Sequence, residues 1–104
     1  MNERIEKIKV FLKDSPGDSF LQHALALEFI KAGNDDEARQ MFENNVTQHA
    51  GYVATYYHLG KLLERGGLTD EAIGIYEKGM SVAREAKDMH TYNELQAAYE
   101  DITY

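Results

Sequence analysis

Apolar residues recur along this chain at three- and four-residue spacing with polar residues between them, the period of an amphipathic helix. Ile5, Ile8, Phe11 and Leu12, backed by Glu3, Arg4, Glu6, Lys7, Lys9 and Lys13, predict a helix over residues 3–13. Ser15-Pro16-Gly17 ends it, because proline disfavours helix in the residue before it. Leu21, Leu25 and Phe29 predict a second helix, capped by Asp18 or Ser19 and stopped by Gly33. Ala38, Met41, Phe42 and Val46 predict a third, capped by Asn34 or Asp35 and closed by Gly51. Asp35, Asp36 and Glu37 place negative charge at its positive dipole end. Tyr56, Leu59 and Leu63 predict a fourth helix, stopped by Gly66-Gly67. Ala72, Ile73, Tyr76 and Met80 predict a fifth, capped by Thr69 and running as far as Ala86. Lys87-Asp88 is a weak break before a sixth helix over about 89–102, with Tyr92, Leu95, Tyr99 and Ile102 as its stripe. No stretch alternates with the period of a strand.

The middle of this pattern repeats itself. A shift of 34 residues pairs Leu25 with Leu59, Ala26 with Gly60, Phe29 with Leu63 and Gly33 with Gly67. The same shift pairs Asp36-Glu37-Ala38 with Asp70-Glu71-Ala72 and Phe42-Glu43 with Tyr76-Glu77. Each period holds a front helix and a back helix. Small residues (Ala26 and Gly60 in front, Ala38 and Ala72 behind) allow close helix crossing. Phe29 with Phe42, and Leu63 with Tyr76, fill the space beside them.

A period of 34 with two helices and this alternation of small and large residues resembles the tetratricopeptide repeat. The resemblance implies an all-α, antiparallel helix-pair solenoid of about six helices. It divides residues 1–104, as one domain, into an N-terminal capping helix (1–17), two repeats (19–52 and 53–86) and a C-terminal capping helix (87–104). Pro16 falls where the family often has proline after a back helix, so the first helix resembles the back half of a preceding repeat. Departures from the family pattern are Gln22 for an aromatic, Asn45 and Gly79 for alanine, and Ala50 and Arg84 for proline. By helix propensity Gly79 costs about 1 kcal/mol relative to alanine. Two repeats are fewer than the roughly three a stable stack needs, and the flanking helices would supply the missing burial.

Composition and charge narrow the function. The 104 residues carry a formal net charge of -7, one proline and no cysteine. Disulfides and thiolate chemistry are therefore excluded, and the balance leans towards the cytoplasm. No segment is a basic patch: residues 1–17 are +1, 18–52 are -4, 53–86 are -1 and 87–104 are -3. Nucleic acid and anionic membrane surfaces are disfavoured as partners, because both are bound through Lys and Arg. The N-terminus lacks the apolar run of a signal peptide, and no stretch is long and apolar enough to span a bilayer.

Catalytic and metal motifs are missing. His23, His49, His58 and His90 form no HExxH and no pair at one-turn spacing. Asp36-Glu37 and Asp70-Glu71 are explained by helix N-termini rather than by acid–base work. No enzyme activity, cofactor or metal is expected. The Lys, Asn and Arg carboxylate clamp that the resemblance would suggest is replaced here by His23, Leu27, His58, Asp88 and Tyr92, so none of its residues carries over.

The resemblance implies a protein-interaction module that takes a peptide or helix in a concave groove lined by front helices. The residues expected there are Phe20, His23, Leu27 and Ile30 in the first repeat and Tyr57, His58 and Lys61 in the second. Phe20, Leu27 and Tyr57 are apolar or amphipathic side chains that the core stripes do not need, and such surplus marks interaction sites. The alternative is a structural self-assembly unit, a homodimer, suggested by the short stack and the tyrosine-rich last helix.

Overall fold

The computed structural model describes residues 2–104. It contains six α-helices: α1 (Glu3–Asp14), α2 (Ser19–Lys31), α3 (Asp35–Gln48), α4 (Ala54–Arg65), α5 (Thr69–Glu85) and α6 (Met89–Thr103). There is no strand among the described residues. The fold is all-α and built from helix pairs. The chain divides into two compact units, one ending at His49 with α1–α3, the other spanning Ala50–Tyr104 with α4–α6.

In the first unit α1 begins at a capped end: the Asn2 side chain accepts hydrogen bonds from the Arg4 and Ile5 amides at 3.0 and 3.2 Å. Its one fully buried side chain is Ile5. At the surface Arg4 meets the buried Glu28 carboxylate of α2 at 3.3 Å, Lys31 meets the same carboxylate at 3.3 Å, and Lys9 lies over the Phe29 ring. Asp18 caps α2 by accepting from the Leu21 amide at 2.9 Å. Ala26, Ala38 and Phe42 are completely buried between α2 and α3.

The second unit packs Tyr56, Leu59, Leu62 and Leu63 of α4 with Ala72, Tyr76 and Ala83 of α5 and Leu95 and Ala98 of α6. The Tyr76 hydroxyl donates to the Glu64 carboxylate. Burial and that neighbouring negative charge push the Tyr76 phenol up from its ordinary value. Tyr92 accepts a hydrogen bond from Arg84 at 2.7 Å and Tyr99 donates to Glu77 at 3.4 Å, so α6 is tied to α5 at its rim as well as its core.

Three turns share one closure. The Asn34, Leu68 and Asp88 amides donate to the carbonyls of Phe29, Leu63 and Ala83 at 2.8–2.9 Å. Inside them the Gly33, Gly67 and Lys87 amides donate to Ile30, Glu64 and Arg84, each at 3.0 Å. These paired bonds make the Schellman motif, which needs a left-handed residue just past the helix end. Gly33 (φ 82°) and Gly67 (φ 79°) meet that need without steric cost, whereas Lys87 (φ 59°) does so with a Cβ present. The Lys87-Asp88 break is thus a full turn. Asp88 then caps α6, accepting from the Thr91 amide at 3.1 Å and hydroxyl at 2.8 Å, and both bonds hold its carboxyl below the usual range.

Several sequence expectations need correction. Asn34 stands at the N-cap of α3 but its side chain makes no capping bond, and Thr69 is the first residue of α5 with Leu68 before it. The αL turn places both caps; the acidic first turns of α3 and α5 satisfy the dipole. Phe11 is 58% exposed rather than in the core, because α1 turns only its Ile5–Ile8–Leu12 side towards α2. Met41, Ile73, Met80, Tyr92, Tyr99 and Ile102 are half-buried at the flanks of their stripes.

Gly79 also reads differently in three dimensions. A Cβ there would lie 2.6 Å from Tyr56 Cβ and 3.0 Å from Leu95 Cδ1. Its position one period earlier, Asn45, is also fully buried and donates to the Ser19 carbonyl of α2 at 3.2 Å. The departure at Gln22 has a similar explanation. Its Nε2 donates to the Pro16 carbonyl at 2.8 Å, and Tyr56, one period on, donates its hydroxyl to the Ala50 carbonyl at 2.6 Å. An amide and a phenol thus serve the same carbonyl position six residues back.

Candidate functional site

The residues expected to meet a ligand lie on α2 in one unit and on α4 in the other. On α2, Phe20 is 63% exposed, and Leu27 and Ile30 are half-buried. His23 is different: it is 7% exposed, with its ring centroid 5.6 Å from that of Phe42 at a 51° tilt. It lies under this face and supports it. A helix whose buried set already includes Gln22, Leu25, Ala26, Glu28 and Phe29 has apolar or buried side chains almost all round. Sequence periodicity therefore could not say which of its positions look outward.

On α4 the three expected residues form a contiguous surface. The Tyr57 and His58 rings meet edge to face with centroids 5.5 Å apart. Lys61 Nζ lies 5.7 Å from the Tyr57 ring centroid and 3.7 Å from Glu64. All three of Tyr57, His58 and Lys61 are half-buried. Burial lowers the His58 pKa from its ordinary value, and the Glu94 carboxylate of α6 opposes that shift only in part. The surface thus offers an aromatic face, a largely neutral imidazole and one ammonium. Glu64 bridges this surface to the core: it accepts the Tyr76 hydroxyl while facing Lys61.

Among the described residues no group of three or more His, Asp or Glu side chains is placed to hold a metal ion. No helix among them is long and apolar enough to cross a membrane.

Known proteins resolve the family. A crystal structure of a tetratricopeptide repeat domain protein from Salinibacter ruber is 45% identical to this chain, covering 82% of it and 94% of its own length, with a TM-score of 0.79. The chain belongs to the tetratricopeptide repeat family. A solution structure of a tetratricopeptide repeat domain protein from the same organism is 44% identical over 85% of this chain and 89% of its own, with a TM-score of 0.82. A protein from Bordetella parapertussis is 20% identical, covers 98% of this chain and 89% of its own, and shares the fold at a TM-score of 0.82. No family model matches the chain, and no curated protein matches it. In the tetratricopeptide register Ala26, Gly60, Ala38 and Ala72 take the small-residue positions, and all four are buried.

Proposed function

We propose that this tetratricopeptide repeat protein is a non-enzymatic, cytoplasmic interaction module that binds a peptide or helix of another protein through the outward sides of its front helices. The observation that carries the reading is the side-chain set of those helices. On α2 the exposed Phe20 shares the helix with half-buried Leu27 and Ile30. On α4, Tyr57, His58 and Lys61 are arrayed together. Aromatic and aliphatic groups left on such faces supply the anchors that peptide recognition uses. Lys61 favours an acidic group beside the anchor.

The test is capture of partners from the source cell by the wild-type chain and by a chain carrying Leu27→Asp with Tyr57→Ala. Loss of capture at an unchanged melting temperature supports the reading. Retained capture of the same partner by a folded double variant overturns it.

A second reading, self-assembly, is favoured by the exposed apolar side chains of the terminal helices. Val10 and Phe11 of α1 are each 58% exposed, Met89 at the start of α6 is 51% exposed and Tyr104, just past the end of α6, is 97% exposed.

A further inference from the structure

We propose that a hollow between α1, the turn after it, α2 and α3 receives one uncharged aromatic ring with a single hydrogen-bond donor, an indole, whose N–H is accepted by Gln22. The site lies wholly within the first unit and does not rest on the reading of the front-helix surfaces.

The hollow measures about 280 Å³ and is lined by Leu12, Pro16, Gln22, Met41, Asn44 and Gln48. Gln22 is the one buried member of this lining, at 8% exposure. Its Nε2 donates to the Pro16 carbonyl at 2.8 Å. That bond fixes the orientation of the amide, since the flipped group would set two oxygens against each other. The Gln22 Oε1 is left buried with no hydrogen-bond partner. One period on, Tyr56 makes the corresponding bond to the Ala50 carbonyl and is completely buried. The phenol fills its place with a ring. The glutamine makes the same bond with less bulk and keeps a carbonyl oxygen over.

The lining selects the ligand step by step. None of the six side chains is ionisable, so a charged group would enter without a counter-charge and at a high desolvation cost. A purely apolar group would seal Oε1 from water unpaired. A hydroxyl or an amide would pair with Oε1 but carry acceptor lone pairs of its own in among Leu12, Pro16 and Met41. Among side-chain chemistries the indole alone is uncharged, donates one hydrogen bond and accepts none. The hollow is smaller than pockets for drug-sized ligands and suits a single ring system. The Met41 thioether favours an aromatic neighbour.

Titration of the full chain with indole, followed by amide chemical shifts, reads the site. The amides of Leu12, Gln22, Met41 and Gln48 should move along one saturation curve. Benzofuran has the same ring shape with an oxygen in place of the N–H, and should bind about tenfold more weakly or worse. Gln22→Tyr copies the residue of the second repeat and should abolish the shifts, with far-UV dichroism checking that the helices are kept. N-acetyltryptophanamide distinguishes the source of the ring. Binding of it as well as indole points to a tryptophan side chain of a partner, and binding of indole alone to a free small molecule; either upholds the site. The proposal is overturned if indole moves none of these amides at millimolar concentration, if benzofuran binds as well as indole, or if a folded Gln22→Tyr chain still shows the same shifts. The benzofuran comparison uses the wild-type chain, so it decides the matter even if Gln22→Tyr does not fold.

Discussion

Gly60 and Tyr76 occupy the same space: a Cβ on Gly60 would come within 2.6 Å of Tyr76 Cζ. One period earlier Ala26 and Phe42 coexist, both completely buried. The difference lies in a third residue. Glu64 accepts the Tyr76 hydroxyl and fixes its ring, whereas Ile30 stands at the matching place in the first repeat and Phe42 has no hydroxyl to fix. Gly60→Ala should destabilise the protein, because overpacking costs about 1–3 kcal/mol and exceeds the roughly 1 kcal/mol gained in helix propensity. In a Tyr76→Phe background the same change should cost less, since the freed ring can shift. Denaturant midpoints of the two single variants and the double variant check this. Additive losses would show that the Glu64 bond does not hold the ring.

Gly79→Ala tests propensity against packing in the same helix. Propensity alone predicts a gain of about 1 kcal/mol. The Tyr56 Cβ at 2.6 Å and Leu95 Cδ1 at 3.0 Å predict a net loss, because the Tyr56 contact is at the root of a side chain and cannot swing away. A thermal melt gives the sign.

Lys87 is the residue where a substitution should help. Its left-handed backbone costs roughly 1–2 kcal/mol for a residue with a Cβ. Lys87→Gly removes that strain but gives the unfolded chain more freedom, worth about 0.4–1 kcal/mol. The expected result is a gain of between about zero and 1.6 kcal/mol in chemical denaturation. Gly33→Ala and Gly67→Ala should move the other way.

His58 predicts a pH dependence. Its folded pKa lies below the ordinary value of about 6.5. As pH falls below that value the unfolded chain takes up the proton first, so stability declines until the folded pKa is reached. The groups facing His58 include Glu94, whose charge limits the shift, and Tyr57, whose ring lies at its edge. Melting temperature between pH 7 and pH 5 should fall less steeply in His58→Gln than in wild type. The same depressed pKa means that a contact between His58 and an acidic ligand gains from protonation at a lower pH than it would with an ordinary imidazole.

The repeat was legible in the sequence because its signals are local or periodic. Gly33 and Gly67 announce left-handed turns, and the 34-residue shift brings small residue onto small residue. Lys87 was not legible as the third such turn, since lysine has no preference for that conformation; only the two bonds to Ala83 and Arg84 reveal it. The α4 surface was readable as far as Tyr57, His58 and Lys61, which one helical turn brings together. His23 was not, because α2 is buried around most of its circumference and a polar residue there gives no sign of facing Phe42. Gly79 read as a weakness because its reason lies in Tyr56 and Leu95, residues 23 and 16 positions away in the chain.

The three Schellman closures also set the order in which the molecule can assemble. Each spans six residues, from Phe29 to Asn34, Leu63 to Leu68 and Ala83 to Asp88. Each brings together two helices that are consecutive in sequence, so pairing α2 with α3, α4 with α5 and α5 with α6 requires no long loop to be ordered first. Chains dominated by such short-range contacts refold in microseconds to milliseconds. The helical hairpins are therefore expected to be the earliest structures to gain amide protection on refolding, which pulse-labelled hydrogen exchange checks.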